Sequence, residues 1–201
     1  AHADDVVRVS GSDRYATAAA FSSSFGRTGG TVYLATGADF ADALVAGAAA
    51  GADAGSLLLT RPTSLPAATA AELSRIDPDR IIIVGGTAAV SDAVASAASV
   101  HGPVTRIAGA NRYATAAAIS SATFDGKVPV LVATGQDFPD AMVASAAAIA
   151  GGGPVLLTRT DGVPSSTADE LGRLAPASSA VVGGAAVITD RASAQVYRSA
   201  Q

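Results

Sequence analysis

The chain has 201 residues, 49% of them hydrophobic and 15% charged, and its formal net charge is −4. The acidic balance excludes a general nucleic-acid binder, which needs a basic surface, and the apolar fraction excludes a disordered chain. There is no cysteine, and the two histidines have no partners at ligand spacing, so we predict neither a metal site nor a cofactor.

The first half of the chain alternates short apolar runs with alanine-rich stretches. Such alternation predicts strands followed by helices. In chain order the predicted elements are strand Val6–Val9, helix Arg14 to about Phe25, strand Thr31–Thr36, helix Asp42–Ala50, strand Ser56–Thr60, helix Pro66–Arg75, strand Arg80–Val84 and helix Asp92–Ser99.

The second half repeats this plan 98 residues later: RVSGSDRYATAA at 8–19 returns as RIAGANRYATAA at 106–117. We therefore predict two domains, repeat 1 (residues 1–102) and repeat 2 (residues 103–201). The predicted elements of repeat 2 are Val104–Ile107, Arg112–Ser121, Val128–Thr134, Asp140–Ala150, Pro154–Thr158, Ser165–Leu174, Ser179–Val182 and Thr189–Val196.

The strand candidates are continuously apolar, which is typical of strands buried on both faces. The predicted fold class is α/β: two tandem repeats, each a small, mostly parallel sheet flanked by helices in Rossmann-like or toprim-like layers. The longest uncharged stretch, Ala141–Thr158, contains three glycines and a proline, so we predict no membrane insertion. Ala1-His2-Ala3 resembles the end of a removed signal peptide, and a cloning remnant explains it equally well.

The RYATA segments place Arg14-Tyr15 and Arg112-Tyr113 at a helix start, after the predicted caps Asp13 and Asn111. A cation in the first turn opposes the helix dipole by about 0.3–1 kcal/mol. Either a carboxylate of the protein or an anionic ligand must offset that cost. Both alternatives stay open at this point.

Asp42 and Asp140 follow the second strand of each repeat, three residues after Asp39 and Asp137. We expect them to cap the next helix, and Asp42 is a candidate salt-bridge partner of Arg14. An acid/base pair of carboxylates is the alternative interpretation.

Paired glycines, Gly85-Gly86 and Gly183-Gly184, follow the fourth strand of each repeat. They fit either a tight turn or a cradle in which backbone N–H groups face an anion.

The ordered set RVSGSDRYATA, ATGADFADAL, LLLT and IIVGGTAAVS, present twice, resembles the bacterial cell wall-binding type 2 repeat family. The resemblance implies a secreted protein held noncovalently at the wall or surface of a Gram-positive bacterium. Its partner would be an anionic secondary wall polymer, and such repeats usually pack in threes about an axis. By resemblance, the binding residues would be Arg14 and Arg112, with Asp42 and Asp140 shaping the site.

We therefore predict a wall-anchoring module and not an enzyme. The candidate ligand-binding residues are Arg14, Tyr15, Asp42, Gly85, Gly86, Arg112, Tyr113, Asp140, Gly183 and Gly184. Two alternatives are a self-assembling surface or adhesion module and a wall-glycan hydrolase that uses the Asp39/Asp42 and Asp137/Asp140 pairs. A third repeat could lie outside this sequence, come from another chain in a homo-oligomer, or not exist.

Overall fold

The computed structural model describes residues 6–201, so the Ala1–Ala3 segment lies outside the described residues. Residues 6–201 contain eight helices and seven strands. The helices are α1 (Arg14–Ser24), α2 (Ala41–Ala52), α3 (Ala67–Ile76), α4 (Asp92–Ala98), α5 (Arg112–Thr123), α6 (Pro139–Gly151), α7 (Ser165–Leu174) and α8 (Asp190–Ser199). The strands are β1 (Thr31–Thr36), β2 (Ser56–Thr60), β3 (Arg80–Val84), β4 (Val104–Ile107), β5 (Val130–Thr134), β6 (Val155–Thr158) and β7 (Ser179–Val182).

The strands form two parallel sheets, which confirms the predicted α/β fold class. The first sheet has the order β2-β1-β3-β4, and the second has the order β6-β5-β7. Both faces of the first sheet are covered. Val32 and Leu34 pack in a cluster with residues of α3 and α4, whereas Tyr33 and Ala35 pack toward α2. None of the described helices has the length and apolar character that crossing a bilayer requires.

Strand β4 crosses the boundary between the two repeats. It belongs to repeat 2 by sequence, yet it pairs with β3 of repeat 1, with Ile81 opposite Val104 and Val84 opposite Ile107. The matching segment of repeat 1, Val6–Val9, was predicted as a strand, and that prediction is wrong. A strand needs a neighbour that pairs with its N–H and C=O groups, and within residues 6–201 none of the seven strands pairs with this segment.

Helix α2 holds the two repeats together. Its residues Ala41, Val45 and Ala48 pack against α5 and α6 of repeat 2, in a cluster that also includes Tyr113. The contact is close because its side chains are small. Ser145 Oγ of α6 donates a hydrogen bond to the Leu44 carbonyl of α2 at 2.9 Å. Arg112 donates both to the Gly135 carbonyl, just after β5, and to Asp39, just after β1, so the carboxyl ends of these two strands lie close together at the repeat boundary.

Candidate functional site

The RYATA segments form the entry to α1 and α5. Gly11 N–H donates to Thr17 Oγ1 at 3.0 Å, and Gly109 makes the same bond to Thr115. A Cβ at Gly11 would overlap the backbone of Ala16, so only glycine lets this loop come so close to its helix. These contacts lie within each repeat. Much of the motif therefore serves to hold the loop against its helix.

The predicted caps of these two helices are confirmed. The Asp13 carboxylate accepts a hydrogen bond from Ala16 N–H at 2.8 Å. The Asn111 side chain accepts from the N–H groups of Tyr113 and Ala114, both at 3.1 Å. Each cap satisfies free amides of the first turn and fixes where the following arginine projects.

Arg14 and Arg112 each reach back to the glycine that follows a central strand. Arg14 Nη1 donates to the Gly37 carbonyl, and Arg112 Nη1 donates to the Gly135 carbonyl at 2.6 Å. A Cβ on either glycine would come within 2.7 Å of the ring of the tyrosine beside the arginine. The arginine, tyrosine and glycine of each repeat therefore form one packed unit at the strand end.

The two arginines differ in what neutralises their charge. Arg112 Nη2 forms an ion pair with Asp39 Oδ2 at 3.1 Å, and its guanidinium carbon lies 5.6 Å from the centre of the Phe40 ring. Both partners belong to repeat 1, so this pair joins the repeats. The predicted salt bridge between Asp42 and Arg14 is wrong: among residues 6–201 Arg14 forms no ion pair.

Arg14 is exposed and lines an open pocket of about 460 Å³. Thr36, Gly37, Asp39 and Phe40 line the same pocket. Only the Gly37 carbonyl accepts a hydrogen bond from Arg14 within the described residues. A guanidinium group carries five N–H donors, so Arg14 retains donors that can bind an anion.

Asp42 and Asp140 stand in the first turn of α2 and α6, where a negative charge suits the helix dipole. The prediction that their side chains cap these helices is wrong. The capping positions are Phe40 and Phe138, which have no side-chain hydrogen bond to the helix. The aspartates lie instead against the glycine turns.

Gly85 leaves room for the Asp42 carboxylate. A Cβ at Gly85 would overlap Asp42 Oδ2, and a Cβ at Gly183 would lie 2.9 Å from Asp140 Oδ2. Both glycines have positive φ, +103° and +139°. Burial raises the pKa of Asp42 to about 6, the neighbouring Asp39 carboxylate adds to the rise, and the Arg112 guanidinium opposes it. The site therefore contains a carboxyl group whose pKa lies above the usual range of aspartate.

The Gly-Gly turn of repeat 1 is already engaged by the protein. Gly85 N–H donates to the Ile107 carbonyl at 2.9 Å, and the Gly85 carbonyl accepts from Arg106 Nη1 at 2.8 Å. The Gly85 amide is thus used by the pairing of β3 with β4 and does not face an anion. Gly86 and Gly184 have open space around their α-carbons, so they stay candidates for backbone contacts to a ligand.

Two further arginines, not among the predicted site residues, lie on the same face. The Arg61 guanidinium carbon is 5.1 Å from the centre of the Tyr15 ring, and that of Arg159 is 5.3 Å from the Tyr113 ring. Arg61 also pairs with Asp13 at 3.6 Å, with half of its side chain exposed. The sequence signal for these arginines is the Thr-Arg pair at the end of the third predicted strand, which is present in both repeats.

The strand-end face thus presents guanidinium groups stacked on tyrosine rings, and such groups are suited to binding carboxylate or phosphate. Within residues 6–201, no three His, Cys, Asp or Glu side chains cluster in a way that could hold a metal ion. In repeat 1, Asp39, one of the two carboxylates of the hydrolase alternative, is engaged in the ion pair with Arg112.

Comparison with known proteins identifies the family of this chain. Residues 8–95 and 106–193 each match the model of cell wall binding domain 2 (CWB2). The chain is 33% identical over 188 residues to the N-acetylmuramoyl-L-alanine amidase LytC of Bacillus subtilis (strain 168). It is 34% identical over 159 residues to the amidase enhancer of the same strain. These matches cover 93% and 78% of this chain but 38% and 22% of the two relatives.

Solved structures of similar fold come from Clostridium difficile. Cwp6 superposes with a TM-score of 0.86 at 26% identity, over 94% of this chain and 31% of Cwp6. Cwp8 has a TM-score of 0.84 over 95% of this chain and 33% of its own length; at 24% identity this match supports the fold alone. The chain therefore spans about a third of each of these proteins.

Proposed function

The chain belongs to the cell wall binding domain 2 family, and on that premise we propose that it anchors a secreted protein noncovalently by binding an anionic secondary wall polymer. The recognition of the family and of its two tandem copies from sequence is confirmed. We place the protein at the wall or surface of a Gram-positive bacterium. The chemical class of the ligand and the residues that bind it are part of the proposal.

The observation that carries the proposal is the uncompensated charge of Arg14. This guanidinium opposes the dipole of α1, lines an open pocket and forms no ion pair within the described residues. A phosphate or carboxylate of the polymer would supply the missing negative charge through charge-assisted hydrogen bonds. We infer that the pocket beside Gly37 is the principal anion site of this chain.

Arg61 and Arg159 extend this site along the strand-end face. Each guanidinium lies over a tyrosine ring, which restricts its orientation while leaving N–H donors for a ligand. Because both repeats carry the same arrangement, one polymer can contact the chain at two places. Two weak contacts to one polymer raise the overall affinity without any new interaction.

Cosedimentation with purified walls tests the class of ligand. We expect the chain to pellet with intact walls and to stay in solution once phosphate- and carboxylate-bearing polymers have been extracted from them. Soluble polymer fragments should compete, and added salt should weaken binding because exposed charges are screened. Equal binding to extracted walls would refute the anionic-polymer proposal.

A matched pair of variants tests the residues. Arg14→Ala combined with Arg61→Ala removes two cations from the proposed face. Arg191→Ala combined with Arg198→Ala removes two exposed cations from α8 and is the control. We expect the first pair to weaken wall binding about tenfold or more and the second to leave it unchanged. If both double variants lose the same amount of wall binding, the binding depends on the net charge of the chain and not on the proposed face.

A further inference from the structure

The arginines that follow β2 and β6 occupy equivalent positions but differ in charge compensation. Arg61 Nη2 lies 3.6 Å from the carboxylate of Asp13. The residue that matches Asp13 in repeat 2 is Asn111, which carries no charge. Within residues 6–201, the side chain of Arg159 forms no ion pair and no hydrogen bond, and its polar contact is the stacking on a tyrosine ring. All five N–H donors of Arg159 are therefore available to a ligand.

The arginines at the helix starts show the opposite pattern. Arg112 of repeat 2 is paired with Asp39 at 3.1 Å, whereas Arg14 of repeat 1 forms no ion pair within the described residues. Each repeat thus retains one arginine whose charge no carboxylate offsets. In repeat 1 that residue is Arg14, and in repeat 2 it is Arg159, at a position that is not equivalent.

Local packing restricts the position of Arg159. Its guanidinium carbon lies 5.3 Å from the centre of the Tyr113 ring, which is only 9% exposed and so forms a fixed base. The loop that carries the arginine is closed by two hydrogen bonds to the Gly162 carbonyl, from Arg159 N–H at 3.3 Å and from Thr158 Oγ1 at 3.2 Å. A side chain held in this way loses less conformational freedom when it binds a ligand.

Neutral polar groups stand beside this arginine in repeat 2 alone. Thr160, the next residue of the loop, donates from Oγ1 to Gln136 Oε1 at 2.5 Å. The Gln136 amide nitrogen has no hydrogen-bond partner within the described residues, so both of its N–H donors are available. The matching residues of repeat 1 are Pro62 and Ala38, whose side chains have no donor. Repeat 2 therefore combines an uncompensated cation with amide donors.

We propose that the strand-end loops of repeat 2 form a second anion subsite. Arg159 binds a phosphate or carboxylate group there, and Gln136 donates to a neighbouring oxygen of the same polymer unit. Charge-assisted hydrogen bonds from a planar guanidinium group suit either anion. The inference rests on the proposed function, because it takes the wall polymer as the ligand. It adds that the two repeats bind this polymer with different residues, Arg14 in one and Arg159 in the other.

Single substitutions test this difference in cosedimentation with purified intact walls. We expect Arg159→Ala to raise the dissociation constant about fivefold, because a charged contact is lost. Arg61→Ala, at the equivalent position, should raise it about twofold or less, because Asp13 already offsets that charge. Gln136→Ala should raise it about twofold without changing the dependence on salt, since the lost contact is neutral. Equal losses for Arg61→Ala and Arg159→Ala would contradict the proposed difference between the repeats.

Exchanging the two helix caps tests the role of charge without removing an arginine. Asp13 and Asn111 both accept hydrogen bonds from the first turn, so each can replace the other as a cap. Asn111→Asp gives Arg159 a carboxylate and should weaken wall binding about two- to threefold. Asp13→Asn releases Arg61 and should strengthen it about twofold. Asp77→Asn makes the same charge change in the exposed turn before β3, at the opposite end of the sheet, and should bind like the parent.

Chemical treatment of the walls identifies the anion. Hydrofluoric acid removes phosphate-linked groups, and carbodiimide amidation neutralises carboxylates. The treatment that abolishes the difference between the parent and Arg159→Ala names the group that this subsite binds, and a difference that survives both would overturn the proposal. A parent that binds intact walls while Arg159→Ala binds equally well, or while both cap exchanges have no effect, would overturn this subsite alone. A parent that does not bind intact walls would overturn the proposed function as well.

Discussion

The two repeats have nearly the same motifs but occupy different environments. In repeat 1, Val45 is buried, Gly85 is buried and the sheet is completed by a fourth strand. In repeat 2, the counterparts Val143 and Gly183 are exposed and the sheet ends at β7. The difference arises because each covered surface of repeat 1 is covered by repeat 2. One sequence repeat therefore does not bury its own core completely; it needs residues of the neighbouring repeat.

The same comparison separates two roles of one arginine. Arg112 is paired with Asp39 and helps to join the repeats, whereas Arg14 forms no ion pair within residues 6–201. A residue that belongs to the scaffold in one repeat is thus available to a ligand in the other. Substitutions made at matched positions should therefore have unequal effects.

We expect the largest difference in stability between matched variants at Val45 and Val143. Val45→Asp would bury a charge between the repeats, so we expect it to lower the free energy of unfolding by about 4 kcal/mol or more. Val143→Asp should lower that of the monomer by less than about 0.5 kcal/mol, because the side chain is exposed. Urea unfolding at low protein concentration measures both. Similar losses would show that the repeats do not cover one another as described.

The glycine turns should give a smaller difference. Gly85→Ala combines a positive φ with an overlap against the Asp42 carboxylate in a buried position, so a loss of about 2–3 kcal/mol is expected. Gly183 shares the positive φ but is exposed and meets a less severe contact, so Gly183→Ala should cost about 1–2 kcal/mol. Thermal unfolding of both variants measures which of them loses more stability. The reverse order would contradict the packing at Asp42.

A third difference concerns pH. Burial raises the pKa of Asp42 from 3.8 to about 6, so the folded state holds this proton more tightly than the unfolded state. The resulting stability is fully present below about pH 4 and is lost as the pH rises through 6. Asp42→Asn removes this dependence. The variant should exceed the parent by about 1.5 kcal/mol at pH 7.5, after allowing for partial exposure to solvent, and differ little at pH 4.

Asp140→Asn, at the matched position of repeat 2, is the control for this pH experiment. We expect its difference from the parent to be smaller at pH 7.5. Urea unfolding at several pH values records both variants. If the Asp42→Asn difference from the parent is the same at pH 4 and pH 7.5, the ionisation of Asp42 is not its cause.

Local features of this molecule could be predicted from the sequence, and pairings between distant segments could not. Continuous apolar runs predicted the strands, and the Asp13 and Asn111 caps follow from their position before a helix. The partner of Arg112 lies 73 residues away in the other repeat, beyond the reach of any local pattern. Likewise, residues 6–9 and 104–107 have nearly the same pattern, and only the available sheet edge decides which forms a strand.

The most direct test of the account compares Arg14→Ala with Arg112→Ala in binding to the same intact walls. We predict that Arg14→Ala raises the dissociation constant about fivefold, because an available guanidinium loses its contacts to the polymer. Arg112→Ala should change it less than about twofold, because Asp39 already holds that charge. Equal losses, or a greater loss for Arg112→Ala, would contradict the assignment of the anion site to Arg14.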